Sequence, residues 1–510
     1  MAMSDPSPPP PEVSDGAQQP QCWECRRRRR VCDGAQPVCS KCRAARIVCP
    51  GYANKKPLTW LAPGQVMSRT RKRKKERTIQ QPGNSSRDGQ RTTGSAVTPS
   101  SDLKPDDSIS DGQMEDFIIS TPVELRPEIW DVFEAIIYYN GHIYADLVQH
   151  QLGPSAFVIP MTLTEHVPPS IVHTLVCIVL SHRMIQMTED PGSNILVKPL
   201  WTRLYRHQDV ALRSINKLMS NDETRTHLLT VISVYVLLFA LLQQSFNPCW
   251  RTHVHGFMSL IRHFGSVPDI IRDIPDMEAS LMALTIVSIL ANTTSPRDNQ
   301  FHVASTADAL LLIRTYYTEF YYPAVACPPE LFTELVHIND LRAQPPSPDT
   351  TRSAHAILSR LESFSPEDWS AKHRNHQEEW LLLSRAFHSS VTLYALLSLQ
   401  SSAALPSSAS PELDLLRARH ARRLFSLLGN AMDTPKVRKR MTWPLIVAGV
   451  EAARASREVQ RYVGERLAEM GREQGCAPPL VARAILEKFW DRGGEGGWEG
   501  CFGEVWALVL

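Results

Sequence analysis

The stretch Cys22-Trp23-Glu24-Cys25-Arg26-Arg27-Arg28-Arg29-Arg30-Val31-Cys32, answered by Cys39-Ser40-Lys41-Cys42-Arg43-Ala44-Ala45-Arg46-Ile47-Val48-Cys49, decides how the front of this chain folds. Its six cysteines read C-x2-C-x6-C twice, each cysteine of the first half having its counterpart 17 residues further on. A two-residue gap lets two thiolates reach one metal from a single tight turn. Thiolates in a tetrahedral array suit zinc, with Zn–S distances of about 2.3 Å. Zinc brings no redox chemistry, and the softness of sulfur selects against magnesium and calcium. Six thiolates are too few for two separate four-sulfur sites, but they suffice if two sulfurs are shared between two zinc ions. Such a binuclear cluster has a net charge of about −2, and Arg26, Arg27, Arg28, Arg29 and Arg30 lie inside the first half to offset it.

Other uses of six cysteines fit less well. A disulfide framework belongs to an oxidising compartment, and the polar, Ser/Pro-rich start of the chain does not read as a signal peptide. A metal store has no need of five consecutive arginines. The spacing, the ligand count and the loop proline Pro37 resemble the fungal Zn2Cys6 binuclear-cluster DNA-binding proteins, over residues 22–52. The resemblance implies two Zn2+ ions held by Cys22, Cys25, Cys32, Cys39, Cys42 and Cys49, with Cys22 and Cys39 bridging them. It further implies a helix laid in the DNA major groove. Read from the sequence, that helix spans Cys25 to Cys32; the resemblance implies that Arg28 and Arg29, three and four residues after Cys25, take the positions that read a CGG-type triplet. Arginine's planar fork suits O6 and N7 of guanine, each pair contributing roughly 1–3 kcal/mol of discrimination. Arg26, Arg27, Arg30, Lys41, Arg43 and Arg46 are assigned to phosphate contacts and to the charge of the cluster. Val31 stands where the family usually carries a basic residue, so one phosphate contact is missing or passes to Arg30.

Charge sets this head apart from the rest of the chain. Residues 21–77 hold 17 Lys/Arg against Glu24, Asp33 and Glu76, a balance of +14 in a chain of net +2, which leaves −12 for the remainder. A basic head on an acidic body points to a dedicated DNA module, and the resemblance implies double-stranded promoter DNA as its partner. The run Arg69, Arg71, Lys72, Arg73, Lys74, Lys75 and Arg77 reads as a nuclear localisation signal within a basic linker, residues 53–77. Residues 58–115 show no apolar heptads, so the coiled coil by which many relatives dimerise is not expected. Residues 1–20 and 78–119 are polar and rich in Pro, Ser and Gly, and are expected to be disordered. Within the second, the acidic and apolar mixture from Asp102 to Ile119 reads equally as an activation segment or a linker.

Residues 120–510 are read as a large all-α domain, one body or two closely packed lobes. Apolar residues recur at helical spacing from Ile129 to Val148 and near 171–187, 201–219, 278–291, 305–320, 376–399, 412–430 and 446–470. Pro and Ser clusters at 345–349 and 401–411 are placed in loops. The apolar run Leu228 to Leu242 falls short of the ~20 residues that span a bilayer and is assigned to a fully buried helix, so no membrane partner is expected. Trp250-Arg251-x-His253-x-x-Gly256, Trp443-Pro444-Leu445 with Gly449, and the Gly-rich break between Trp490 and Trp498 resemble the fungal-specific transcription factor domain. That resemblance implies a helical regulatory region answering to co-regulators, the transcription machinery or a small-molecule effector. Pro444 suits a first helical turn, Gly449 close packing, and Trp443 a buried anchor.

Catalytic motifs are absent from the sequence: no H-E-x-x-H, G-x-S-x-G, Walker-type Gly-Lys-Ser/Thr or G-x-G-x-x-G occurs, so no enzyme is expected. His253 and His255 are read as core or cap histidines, and His166, His173 and His182 as lacking partner carboxylates. Cys177, Cys249, Cys327, Cys476 and Cys501 read as small buried residues, and the sequons at Asn84 and Asn292 matter only in a secreted chain. The reading is a nuclear, sequence-specific regulator of RNA polymerase II transcription. The alternative is a zinc-cluster protein acting mainly as a nuclear interaction scaffold.

Overall fold

Proline opens much of this molecule's secondary structure. Pro169, Pro329, Pro348, Pro366, Pro411, Pro435 and Pro478 each stand in the first turn of a helix, where the missing N–H costs nothing and the fixed φ is already helical. The computed structural model describes residues 21–35, 38–45, 47 and 49, and residues 128–508 with breaks at 156–157, 163–166, 189–193, 226, 245–249, 319–324 and 407–409. The readings made for residues 1–20, 53–77 and 78–119, the basic run from Arg69 to Arg77, and those for Pro37, Arg46, His166 and Cys249 lie outside the described residues.

Two compact units divide the chain, residues 1–106 and 107–510. In the first, α1 (Trp23–Arg27) and α2 (Ser40–Ala44) are short single turns. In the second, α3 (Glu128–Tyr138) runs through a π-helical segment (Tyr139–Tyr144) into α4 (Ala145–Gln149). Then come α5 (Pro169–Met187), α6 (Lys198–Ser220), α7 (Asp222–Arg225), α8 (Leu228–Gln244) and α9 (Trp250–Ile261). The middle is α10 (Val267–Asp273), α11 (Glu278–Thr293), α12 (Thr306–Tyr316), α13 (Pro329–Ala343), α14 (Pro348–Ser363) and α15 (Pro366–Ser370). The last third is α16 (Gln377–Ser401), α17 (Pro411–Asp433), α18 (Pro435–Arg438), α19 (Thr442–Glu451), α20 (Arg457–Gln474), α21 (Pro478–Asp491) and α22 (Gly497–Cys501). Every regular element among the described residues is helical, as the apolar periodicity requires.

The expected helix over 446–470 is two. α19 stops at Glu451, a 3-10 turn covers Ala452–Arg454, and Ser456 opens α20. The break costs little because the Gln460 amide donates to the Ala452 carbonyl at 3.0 Å. At 345–349 the loop reading covers only part of the stretch: Ser347 and Thr350 form a reciprocal cap, and α14 starts on Pro348.

A large core runs from α8 to the C-terminal end, and a smaller cluster joins α3, α5 and α6. Trp443 is buried, stacks on Phe387 and donates its indole N–H to Thr293 Oγ1 at 3.0 Å. Trp490 donates to the Gly449 carbonyl and Trp498 to the Thr293 carbonyl, so the Gly-rich break holds two indoles against α19 and α11. Asn292 is buried, bonding both backbone groups of Phe301, and its sequon is thereby a structural feature. A Cβ on Gly449 would lie 2.4 Å from Leu486 Cδ1, and Leu486 is itself fully buried on α21. Gly449→Ala is therefore expected to overpack this crossing and cost about 1–3 kcal/mol, read from chemical denaturation.

Some polar assignments change. His253 and His255 are exposed, because α9 buries the face carrying Trp250, Val254, Phe257 and Ile261. His173 does have a carboxylate within reach through a second histidine: its Nδ1 lies 2.7 Å from His207 Nδ1, and His207 Nε2 lies 2.9 Å from Asp131 Oδ2. Those three residues come from α5, α6 and α3, a proximity that sequence spacing cannot express. α8 is the expected buried helix, but among the described residues it is α5 that is long and apolar enough by composition to cross a membrane. It packs along α6 and α8, with Ser170 Oγ donating to Ser233 Oγ at 2.9 Å. Cys177, Cys327, Cys476 and Cys501 are buried, and burial pushes the thiols of Cys177 and Cys476 up to about 12.

Candidate zinc centre and nucleic-acid interface

The sequence repeat is reproduced as a structural repeat. Cys22 and Cys39 are the N-caps of α1 and α2, with backbone angles of −67°, 152° and −65°, 149°. Each sulfur accepts the N–H of the cysteine three residues on, from Cys25 at 3.4 Å and from Cys42 at 3.3 Å. Arg26 N–H reaches the Cys22 carbonyl and Arg43 N–H the Cys39 carbonyl, both at 3.0 Å. A thiolate at an N-cap meets the positive end of the helix, which favours its charged form.

Sulfur geometry tests the fit to metal. Cys22 Sγ lies 3.7 Å from the sulfurs of Cys39 and Cys42, and Cys25 Sγ lies 3.7 Å from that of Cys39. A tetrahedron with Zn–S of about 2.3 Å has edges of about 3.8 Å, so these spacings suit zinc. Cys22, Cys25, Cys39 and Cys42 are buried, with their sulfurs all within 4.8 Å of one another. Cys32 Sγ receives the Cys22 N–H at 3.4 Å, and Cys49 packs half-buried against the cluster. Burial and the neighbouring sulfurs push the Cys25 thiol up to about 12, and Cys22 and Cys42 also rise. Thiols that close keep their protons until a metal displaces them, and zinc bound by these six residues would supply charge balance and structure without redox chemistry.

The helix is displaced from its expected place. It spans Trp23–Arg27, not Cys25 to Cys32, because the metal-ligand turn begins at the capping Cys22. Arg28 is its C-cap and Arg29 follows with φ of +52°. Arg29 N–H bonds the Arg26 carbonyl at 3.3 Å and Arg30 N–H the Cys25 carbonyl at 2.9 Å, the Schellman pattern of a helix end. That left-handed position usually takes glycine, and an arginine there costs of the order of 1 kcal/mol. In the second half Ile47 N–H makes the equivalent bond to Cys42 at 3.1 Å.

Arg26, Arg28, Arg29, Arg30, Lys41 and Arg43 are all exposed, so the basic side chains face outward from a sulfur core. Only the backbone is described for Arg27. Arg28 Nε is 2.5 Å from Glu24 Oε1, one helical turn back, an exposed pair of small energy that can yield to a stronger partner. Val31 is 81% exposed and packs on nothing that would replace a basic residue. Sequence reasoning missed Asp33: both carboxylate oxygens accept Ser40 N–H at 3.1 Å, tying the loop between the half-motifs to the start of α2. That hydrogen bond holds the Asp33 carboxyl below its usual range. Its signal was an acid seven residues before a helix start, too common to single out.

Residues 145–509 match the fungal specific transcription factor domain, and residues 21–58 match the fungal Zn(2)-Cys(6) binuclear cluster domain. The chain is 29% identical over 518 positions to the phomenoic acid biosynthesis cluster-specific transcriptional regulator of Leptosphaeria maculans, covering 98% of this chain and 91% of that protein. No solved structure gives a match.

Proposed function

The chain belongs to the fungal specific transcription factor family with a Zn(2)-Cys(6) cluster, a family of transcription regulators and not of enzymes, and from that premise we propose that it is a nuclear, sequence-specific regulator of RNA polymerase II transcription. Cys22, Cys25, Cys32, Cys39, Cys42 and Cys49 would hold two zinc ions, with Cys22 and Cys39 serving both, and so fix the head. Arg28 and Arg29 then read a CGG-type triplet in promoter DNA, while Arg26, Arg27, Arg30, Lys41, Arg43 and Arg46 hold phosphates. The run from Arg69 to Arg77 carries the nuclear address. The helical body conveys regulation from co-regulators or a small-molecule effector. The name of the Leptosphaeria relative supports target genes in a biosynthetic cluster.

One observation carries the base-reading assignment: Arg29 sits in a left-handed position that glycine would fill with less strain. A strained backbone kept with an exposed, charged side chain points to a task for that side chain. Arg29→Gly is expected to keep or slightly raise the stability of the head, while base preference at one position falls by roughly 1–3 kcal/mol. Arg43→Ala is expected to weaken matched and scrambled sites about equally and to lower the salt dependence of binding. An unbiased selection of DNA by the zinc-loaded protein, repeated with both variants, tests this. Equal loss of preference in the two variants, or no enriched triplet for the wild type, favours the scaffold reading instead.

A further inference from the structure

One acid stands inside the arginine-rich helix of the head. Within residues 21–58 the side-chain carboxylates are those of Glu24 and Asp33, and Asp33 is taken up by the Ser40 N–H across the loop. A carboxylate on a surface that meets DNA repels phosphate and lowers affinity, so Glu24 calls for a physical reason. It lies in the first turn of α1, with Arg28 at the C-cap. Arg28 N–H bonds the Glu24 carbonyl at 2.9 Å, and Arg28 Nε donates to Glu24 Oε1 at 2.5 Å. An acid four residues before a base is the favoured order of such a pair on a helix. The Glu24 side chain is 15% exposed and that of Arg28 41%, so the carboxylate is the sheltered partner and the guanidinium the one presented to solvent.

The contact is made through Nε. It orients the guanidinium plane and leaves Nη1 and Nη2, the two nitrogens that can address O6 and N7 of one guanine. We propose that Glu24 is a positioning residue that sets the specificity of Arg28, holding its fork for a neutral base edge and turning it away from phosphate. This rests on the reading of Arg28 as a base-contacting residue. The selection comes from charge. A phosphate oxygen brought to Arg28 also approaches the Glu24 carboxylate and is repelled, whereas a guanine edge carries no net charge, so the wrong partner is disfavoured. The pair is exposed and weak, so it biases the choice and blocks neither partner. The internal repeat supplies the comparison. Seventeen residues on from Glu24 and Arg28 stand Lys41 and Ala45, and α2 contains no acid. The half assigned to phosphates thus carries a cation where the half assigned to bases carries the carboxylate.

The test uses the zinc-loaded full chain, the duplex enriched by unbiased selection and a scrambled duplex of the same composition. Glu24→Gln is expected to bind scrambled DNA more tightly and to lower the matched-to-scrambled affinity ratio by about 2- to 5-fold, the worth of one exposed ion pair. Its salt dependence on scrambled DNA is expected to steepen by roughly 0.9 in the log–log slope, as Arg28 takes one more phosphate. In an Arg28→Ala background the same change is expected to leave the ratio where it is. A ratio that falls in Arg28→Ala but not in Glu24→Gln overturns this inference alone and leaves the base reading standing. An equal fall with and without Arg28 also overturns it, since Glu24 would then act on a base directly. Loss of zinc in Glu24→Gln marks a structural residue and does the same. No enriched triplet, or an unchanged ratio in Arg28→Ala, removes the base reading and this inference together.

Discussion

Cys39→Ser is expected to unfold the head completely, to lower DNA affinity more than 100-fold, and to leave the melting of the helical body unchanged. Among the described residues the head has almost no other core: its interior is five buried cysteines with Val38, Ile47 and Cys49 packed partly against them. Cys39 Sγ is at 3.7 Å from the sulfurs of both Cys22 and Cys25, and it also caps α2. Losing it removes a sulfur that lies against two others, and the cap of α2 with it. Structural zinc contributes of the order of 10 kcal/mol to such small domains, far more than their apolar burial can replace. A chelator strong enough to strip the cluster is expected to reproduce the variant. The measurements are zinc per chain, protease sensitivity of the first unit, and fluorescence anisotropy on labelled DNA. Full DNA affinity in Cys39→Ser, with zinc lost, would show that the cluster does not organise the contact surface.

The largest effect in the body is expected from Arg342→Met, a loss of about 3–5 kcal/mol in denaturant-induced unfolding. Arg342 on α13 is fully buried. Its guanidinium donates to the Asn292 carbonyl at 3.0 Å, to the Ser295 carbonyl at 3.1 Å, to Tyr394 OH at 2.7 Å and to Glu499 Oε1 at 2.7 Å. It therefore caps the C-terminal end of α11 with a cation, where the helix dipole favours one. Tyr394 in turn donates to Asn339 Oδ1, and Asn339 to the Ile289 carbonyl. Burial opposes the charge, but Tyr394 and Glu499 beside it hold the guanidinium above its ordinary value. Methionine fills the volume and leaves Glu499 and three carbonyl or hydroxyl groups without their donor. Glu499→Gln is expected to cost less, since Glu499 reaches solvent and the other bonds persist. A loss below 1 kcal/mol for Arg342→Met contradicts this account.

Legibility in the sequence followed the range of the interactions. The repeat of Cys22, Cys25 and Cys32 at Cys39, Cys42 and Cys49 is local, so spacing alone pointed to a thiolate site of the zinc class and to the internal symmetry that the two capped turns reproduce. The helix was placed too late because the Schellman turn at Arg28, Arg29 and Arg30 contains no glycine to announce it. In the body, helices with a clean apolar stripe such as α6 and α17 were found near their ends. The π-helical segment after α3 and the break after α19 were not, since hydrophobic period hardly changes across a single irregular turn. Trp443 and Gly449 were read as packing residues and are. Arg342, the Asp131–His207–His173 chain and the Glu362–His388–His420 cluster gave no signal, because their partners are 26 to 157 positions apart.

The sequence by itself determined that this chain carries a thiolate metal cluster, a basic head, an acidic helical body and the family to which they belong. Those properties reside in composition, in spacing under 30 residues and in helical period, all of which survive in one dimension. The tertiary structure alone decided that Arg29 takes a left-handed backbone, that Arg342 is fully sealed from water, and that His388 and His420 meet edge to face. A pair of rings set edge to face or a guanidinium sealed from water is a property of groups brought together by packing, and no local pattern encodes it.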